Sequence, residues 1–193
     1  PMMGAILHTI NIRLSEQQIL YTINHADDEV LIVHHDFIED INRIKKNFSR
    51  PVKVILLNSN ENNLNDNNTY LYEDLIKNKK LKFKFEDFDE NAIATKFYTT
   101  GTTGDPKGVS YSHRQLVIHT LGFIAGSSVS NYSHRLHNED VYMPLTPMFH
   151  VHGWGFPYMA TLLGIKQVYP GRYEPRKLLD LIKQEKITFS HCV

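Results

Sequence analysis

Short apolar runs alternate with helix-spaced apolar positions along the chain. Gly4–Ile10 is apolar and short enough to be a buried strand. Ser15-Glu16-Gln17-Gln18 has the Ser-x-x-Gln form of a capping box, and Ile19, Leu20 and Ile23 recur behind it, which predicts a helix over 15–26. Glu29–Val33 is rich in β-branched residues and suits a parallel strand, Phe37, Ile38, Ile41 and Ile44 form a helical stripe, and Val52–Leu57 is a further strand. This alternation predicts an α/β fold: a largely parallel sheet with helices on both faces.

The polar stretches punctuate the pattern. Residues 58–68 are Asn-rich, offer nothing to a core and predict a surface loop; a short helix is expected over 71–76, and the basic run after it reads as a solvated face. Ala94–Tyr98 is a strand-like run. Ser112-His113-Arg114-Gln115 repeats the capping box and opens a helix to Ala125, apolar on so much of its surface that burial is expected. Residues 127–138 again read as loop. Asp140–Leu145 leads into Pro147–Tyr158, and the remainder reads as strand (166–169), turn at Pro170-Gly171, helix from Pro175, and strand (187–191).

Composition removes several functions. The 193 residues are the size of one domain, and 21 basic against 21 acidic side chains leave no global field for nucleic acid. One cysteine, Cys192, excludes an internal disulfide and fits a reducing compartment. No apolar run approaches the roughly 20 residues of a membrane helix, so no transmembrane segment and a cytoplasmic location are expected. The chain opens on Pro1 and stops at Val193 directly after a strand-like run, which reads as a piece of a longer protein.

Candidate chemistry concentrates in two places. Tyr98–Val109 (YTTGTTGDPKGV) packs three glycines, four threonines and one lysine into twelve residues between strand-like and helix-like runs. Glycines let backbone N–H groups face an anion, threonine hydroxyls add donors, and Lys107 brings a mobile positive charge. A Walker loop requires Gly-Lys-Ser/Thr, whereas here Pro106 precedes Lys107 and Gly108 follows it, so this is not an ordinary P-loop. The second place, Pro147–Tyr158 (PMFHVHGWGFPY), concentrates histidine, tryptophan and phenylalanine between prolines; its composition fits an apolar pocket with a polar handle and equally an ordinary core junction. His150 and His152 would share a face on a strand, but no cysteine and no further ligand spacing accompany them as a zinc site would require.

Thr99-Thr100-Gly101-Thr102-Thr103-Gly104-Asp105-Pro106-Lys107-Gly108 closely resembles the phosphate-loop signature of the acyl-adenylate-forming (AMP-binding) superfamily. That superfamily includes acyl-CoA synthetases, luciferases and peptide-synthetase adenylation domains. The resemblance continues through MFHVHGWGFPY and ATLLGIKQVYPGRYEP, most like the long- and medium-chain fatty-acyl-CoA synthetases, and it covers most of the chain, from GAILHTIN onward. Peptide-synthetase adenylation domains carry Phe-Asp where this chain has Phe149-His150. Without that carboxylate an ammonium has no partner, so a plain carboxylic acid is the better substrate. Lys96 departs from the family's apolar strand, which implies an edge-like strand or an acidic partner.

The resemblance implies an AMP-forming fatty acid–CoA ligase: a fatty acid and ATP yield acyl-AMP and pyrophosphate, then CoA accepts the acyl group. It places Thr99, Thr100, Gly101, Thr102, Thr103, Gly104 and Lys107 on the ATP phosphates, with Thr99 helping to place Mg²⁺. His150 would act in catalysis by orienting the carboxylate and adenylate end, Val151 would lie against the acyl-adenylate, and Trp154 would gate the acyl channel. Residues 1–193 would be part of the large N-terminal AMP-binding domain, without the C-terminal catalytic-lysine domain, from a parent that the resemblance allows to be homodimeric. No Tyr-Gly-x-Thr-Glu segment is present, so the 193 residues alone are expected to be inactive. A ligase for another carboxylic acid and a non-catalytic nucleotide-binding fragment remain open as alternatives.

Overall fold

The computed structural model describes residues 1–58, 67–77, 79, 82–100, 104–129 and 135–192. Three three-stranded sheets carry the fold. The first has the order β1 (Leu7–His8), β5 (Ile93–Thr99), β6 (Lys107–Ser112); the second β2 (Val30–His34), β3 (Lys53–Leu57), β4 (Thr69–Leu71); the third β8 (Lys166–Gln167), β7 (Val141–Pro144), β9 (Phe189–His191). Every pairing is parallel except β5 with β6. The α/β, largely parallel architecture is therefore present, with one hairpin set into it.

The capping boxes form. Helix α1 (Glu16–Ala26) begins on Ser15, whose side chain accepts from the Gln18 N–H while Gln18 reaches back, and it ends at Asp27 in the left-handed conformation. Ile23 of α1, Ile41 and Ile44 of α2 (Ile38–Ile44), Leu31 and Val33 of β2, and Val54 and Leu56 of β3 make one core. The alternate burial along β2 and β3 follows from the two-residue period of a strand. A short helix α3 (Tyr72–Ile76) follows β4. Of the Asn-rich stretch, 59–66 lie outside the described residues.

Three expectations need correction. The segment after the phosphate loop enters a strand before its helix: Phe97 pairs with Val109 and Thr95 with Tyr111, an alternation already visible in Val109-Ser110-Tyr111-Ser112. Helix α4 (His113–Ser128) starts on the capping box of Ser112, but only Thr120 of it is buried. Its Phe123 and Ile124 side packs on the second core, around Tyr142, Met159 and Ala160, while Val117, Ile118 and Leu121 are each more than half exposed. The helix is apolar all round because its sequence is, yet only one side has a partner among the described residues. Lys96 lies in the middle strand of its sheet, half-buried, so that strand is no edge.

Candidate functional site

Thr99 closes β5 and Lys107 opens β6, and the antiparallel register sets them opposite each other. The Thr99 hydroxyl donates to the Lys107 carbonyl at 3.4 Å, and both residues, with Thr100 and Gly104, are exposed. Gly104 has φ +96°, in the left-handed region where a side chain would be strained. Gly101, Thr102 and Thr103 lie outside the described residues.

The stem beneath this loop is held by groups the sequence did not single out. Tyr98 faces Gly108 in the register, and a Cβ on Gly108 would stand 3.3 Å from the Tyr98 ring carbons. The hydroxyl of Tyr98 lies 2.7 Å from Nδ1 of His25, at the end of α1. Burial, helped by the Asp28 carboxylate, pushes the phenol up to about 12, so it stays protonated and shares a hydrogen bond with that nitrogen. Behind it, Nδ1 of His8 on β1 pairs with Asp28 at 2.8 Å, both side chains nearly buried, and the His8 ring lies 5.1 Å from that of Tyr98. Four side chains from β1, the α1 end and β5 thus brace one strand. Only Tyr98 stood in the motif, and nothing in sequence spacing points His8, His25 or Asp28 at it.

The second cluster sits on an unusual backbone. Val151, His152, Gly153, Trp154 and Gly155 all have positive φ, 48° to 77°, so α5 (Val151–Trp154) is a left-handed turn. Three of the five carry side chains, at a cost of roughly 1–2 kcal/mol each, and a β-branched residue such as Val151 is especially rare there. Gly155 leads into α6 (Phe156–Leu162), started by Pro157. A Cβ on Gly155 would fall 2.7 Å from the His119 ring of α4, so this position admits glycine on two counts.

The turn separates its side chains. His150 is exposed, and its ring lies 6.2 Å from that of Trp154, which is 54% exposed; Val151 is half-buried. His152 points the other way and is 1% exposed. Burial, reinforced by His8, lowers its pKa to about 4, so the ring is neutral. The two histidines share no face, which removes the zinc arrangement that a strand would have allowed. Among the described residues the group able to gather around a metal is His34, His35 and Asp36, at the end of β2. There Asp36 is already held by Arg172 at 2.7 Å and His34 by Asn58 at 3.1 Å.

The two clusters meet through aromatic rings. The His152 ring stands edge-on to Phe97 of β5 at 5.2 Å, the strand that runs into Thr99. The third sheet flanks the second cluster: helix α7 (Pro175–Glu185) precedes β9, whose His191 ring stacks on Phe156 at 4.1 Å. No helix among the described residues is long and apolar enough to cross a membrane.

A family model described as AMP-binding enzyme matches residues 1–193. The chain belongs to the AMP-binding enzyme family. Among curated relatives, this AMP-binding chain is 39% identical to a long-chain-fatty-acid–CoA ligase of Thermus thermophilus, with 98% of the chain aligned to 33% of that protein. It is 38% identical to a medium-chain-fatty-acid–CoA ligase of Ectopseudomonas oleovorans, over 97% of the chain and 34% of that protein. The chain thus spans about a third of the length of these relatives. Its fold is that of the anthranilate CoA ligase AuaEII, solved with anthranoyl-AMP: TM-score 0.80 and 22% identity over 97% of this chain and 35% of that one.

Proposed function

We propose that this chain supplies the ATP phosphate loop and the acid-facing turn of an AMP-forming fatty acid–CoA ligase. The observation that carries the reading is the pairing of Thr99 with Lys107 across an antiparallel stem, which suspends a Thr/Gly loop with a cation at its mouth. Its chemistry is leaving-group stabilisation. Backbone N–H groups and hydroxyls of Thr99, Thr100, Gly101, Thr102, Thr103 and Gly104 hold the phosphates that depart as pyrophosphate, and Lys107 offsets their charge. The fatty acid carboxylate attacks the α-phosphate, giving acyl-AMP; the CoA thiol then attacks the acyl carbon and releases AMP.

Thr99 offers an exposed hydroxyl oxygen, a hard ligand of the kind Mg²⁺ accepts alongside phosphate oxygens and water, so it fits a shared metal position. When bound, Mg²⁺ supplies charge neutralisation of the polyphosphate. His150 orients the carboxylate end, Val151 packs against the acyl-adenylate, and Trp154 governs entry of the chain. A solvated loop mouth and a half-exposed tryptophan beside an exposed histidine support these roles. The single cysteine supports a cytoplasmic setting.

ATP–pyrophosphate exchange by the full-length ligase, run against a panel of fatty, aryl and amino acids, tests the reading. Exchange stimulated by fatty acids is expected; stimulation by aryl or amino acids alone would overturn the substrate class.

A further inference from the structure

We propose that His152 is the positioning residue of the acid-side turn: its buried ring pins the left-handed backbone at 151–155 onto β1, β5 and β6 and so fixes where Trp154 points. The acid-side role of the turn is taken from the function proposed above; the hold of His152 on Trp154 is not.

Within the turn His152, Gly153 and Gly155 are buried, and the two glycines bring no side chain. The His152 ring contacts three elements at once. It stands 5.2 Å from Phe97 on β5 at an interplanar angle of 85°, 6.5 Å from Tyr111 on β6, and 6.5 Å from Tyr158 on α6. Edge-to-face contacts at such distances are favourable between aromatic rings. Its Nδ1 lies 3.4 Å from the Thr9 hydroxyl, just past β1. Nε2 is buried without a hydrogen-bond partner among the described residues, as is the hydroxyl of Tyr158. A polar ring kept in such a place is held for its shape and its contacts rather than for a strong hydrogen bond, since burying an unpaired nitrogen is unfavourable.

The backbone supplies the second half of the case. Positive φ at Val151, His152 and Trp154 is disfavoured, and such conformations persist where surrounding contacts over-determine them. Val151 is half-buried and Trp154 mostly exposed, so neither supplies that constraint. His152 does, and it carries a backbone tolerance for the left-handed region that most residues lack. Phe97 is two residues before Thr99, so the same ring ties the turn to the strand that feeds the phosphate loop.

Trp154 is the chain's single tryptophan and reports on the turn without any substrate. In the 193-residue chain, with far-UV circular dichroism as the check on folding, acrylamide quenching of Trp154 is expected to rise by roughly half in His152→Ala as the turn opens. His152→Asn keeps the left-handed tolerance but not the ring, and a smaller rise is expected. Unchanged quenching in a folded His152→Ala overturns the proposal; if that variant does not fold, His152→Asn decides by the same criterion. In the full-length ligase, His152→Ala should raise KM for the acid about ten-fold while KM for ATP stays within about two-fold. Loosened fluorescence in a ligase that takes no fatty acid would keep the positioning role and remove only the acid-side reading.

Discussion

The hydroxyl of Tyr98 and Nδ1 of His25 share a hydrogen bond of 2.7 Å, which ties the strand entering the proposed phosphate loop to the end of α1. Tyr98→Phe removes that bond and keeps the ring. The expected cost is about 1 kcal/mol in urea unfolding. On the proposed function, KM for ATP of the full-length protein should rise while the order of preferred acids stays the same, because the lost contact lies under the proposed phosphate loop. A shift in acid preference would place Tyr98 elsewhere.

Lys107→Ala keeps the hairpin, since the Thr99 hydroxyl bonds the Lys107 carbonyl and not its side chain. Loss of the charge at the loop mouth is expected to lower kcat/KM for ATP by about 10- to 100-fold. Initial rates over an ATP series measure it, and the thermal midpoint should hardly move.

Gly155→Ala meets two separate obstacles, φ +77° and the His119 ring 2.7 Å from the new Cβ. A loss of about 1–3 kcal/mol is expected. Combining it with His119→Ala separates the two: the clash is relieved and the backbone cost stays. A double-mutant cycle from denaturation midpoints gives the coupling between the positions.

His152 gives stability an acid limb. Its pKa is about 4 in the fold, below its ordinary value, because burial disfavours the charged ring. Between the ordinary His value near 6.5 and about 4 the unfolded chain binds a proton that the fold refuses, so stability is complete above that window and falls with pH through it. The most this one group contributes is about 3 kcal/mol. Unfolding free energies at several pH values should fall less steeply for His152→Asn than for the native chain.

Much of the fold was legible because its signals are local. Both serine caps, the stripe at Ile38, Ile41 and Ile44, and the runs that became β2 and β3 follow from neighbours in sequence. The hairpin strand β6 was missed because its alternation, Val109-Ser110-Tyr111-Ser112, is only four residues long and runs straight into the capping box of the helix. The burial of α4 was misread because an apolar surface says nothing of how many sides find partners. The loop residues were legible as chemistry, whereas the brace of His8, Asp28 and His25 on Tyr98 joins positions as much as 90 residues apart, His8 and Tyr98, and no local pattern encodes that. The left-handed turn was hidden for a related reason: a valine and a tryptophan adopt positive φ only where packing compels them.

Because the strands flanking the phosphate loop run antiparallel, the chain leaves and re-enters the sheet at adjacent positions, Thr99 beside Lys107. The segment between them is therefore a cassette. The register of the stem is locked one step further in by the Tyr98 ring lying over Gly108. A substitution between Thr99 and Lys107 therefore alters the proposed phosphate contacts without touching the pairs that hold the stem.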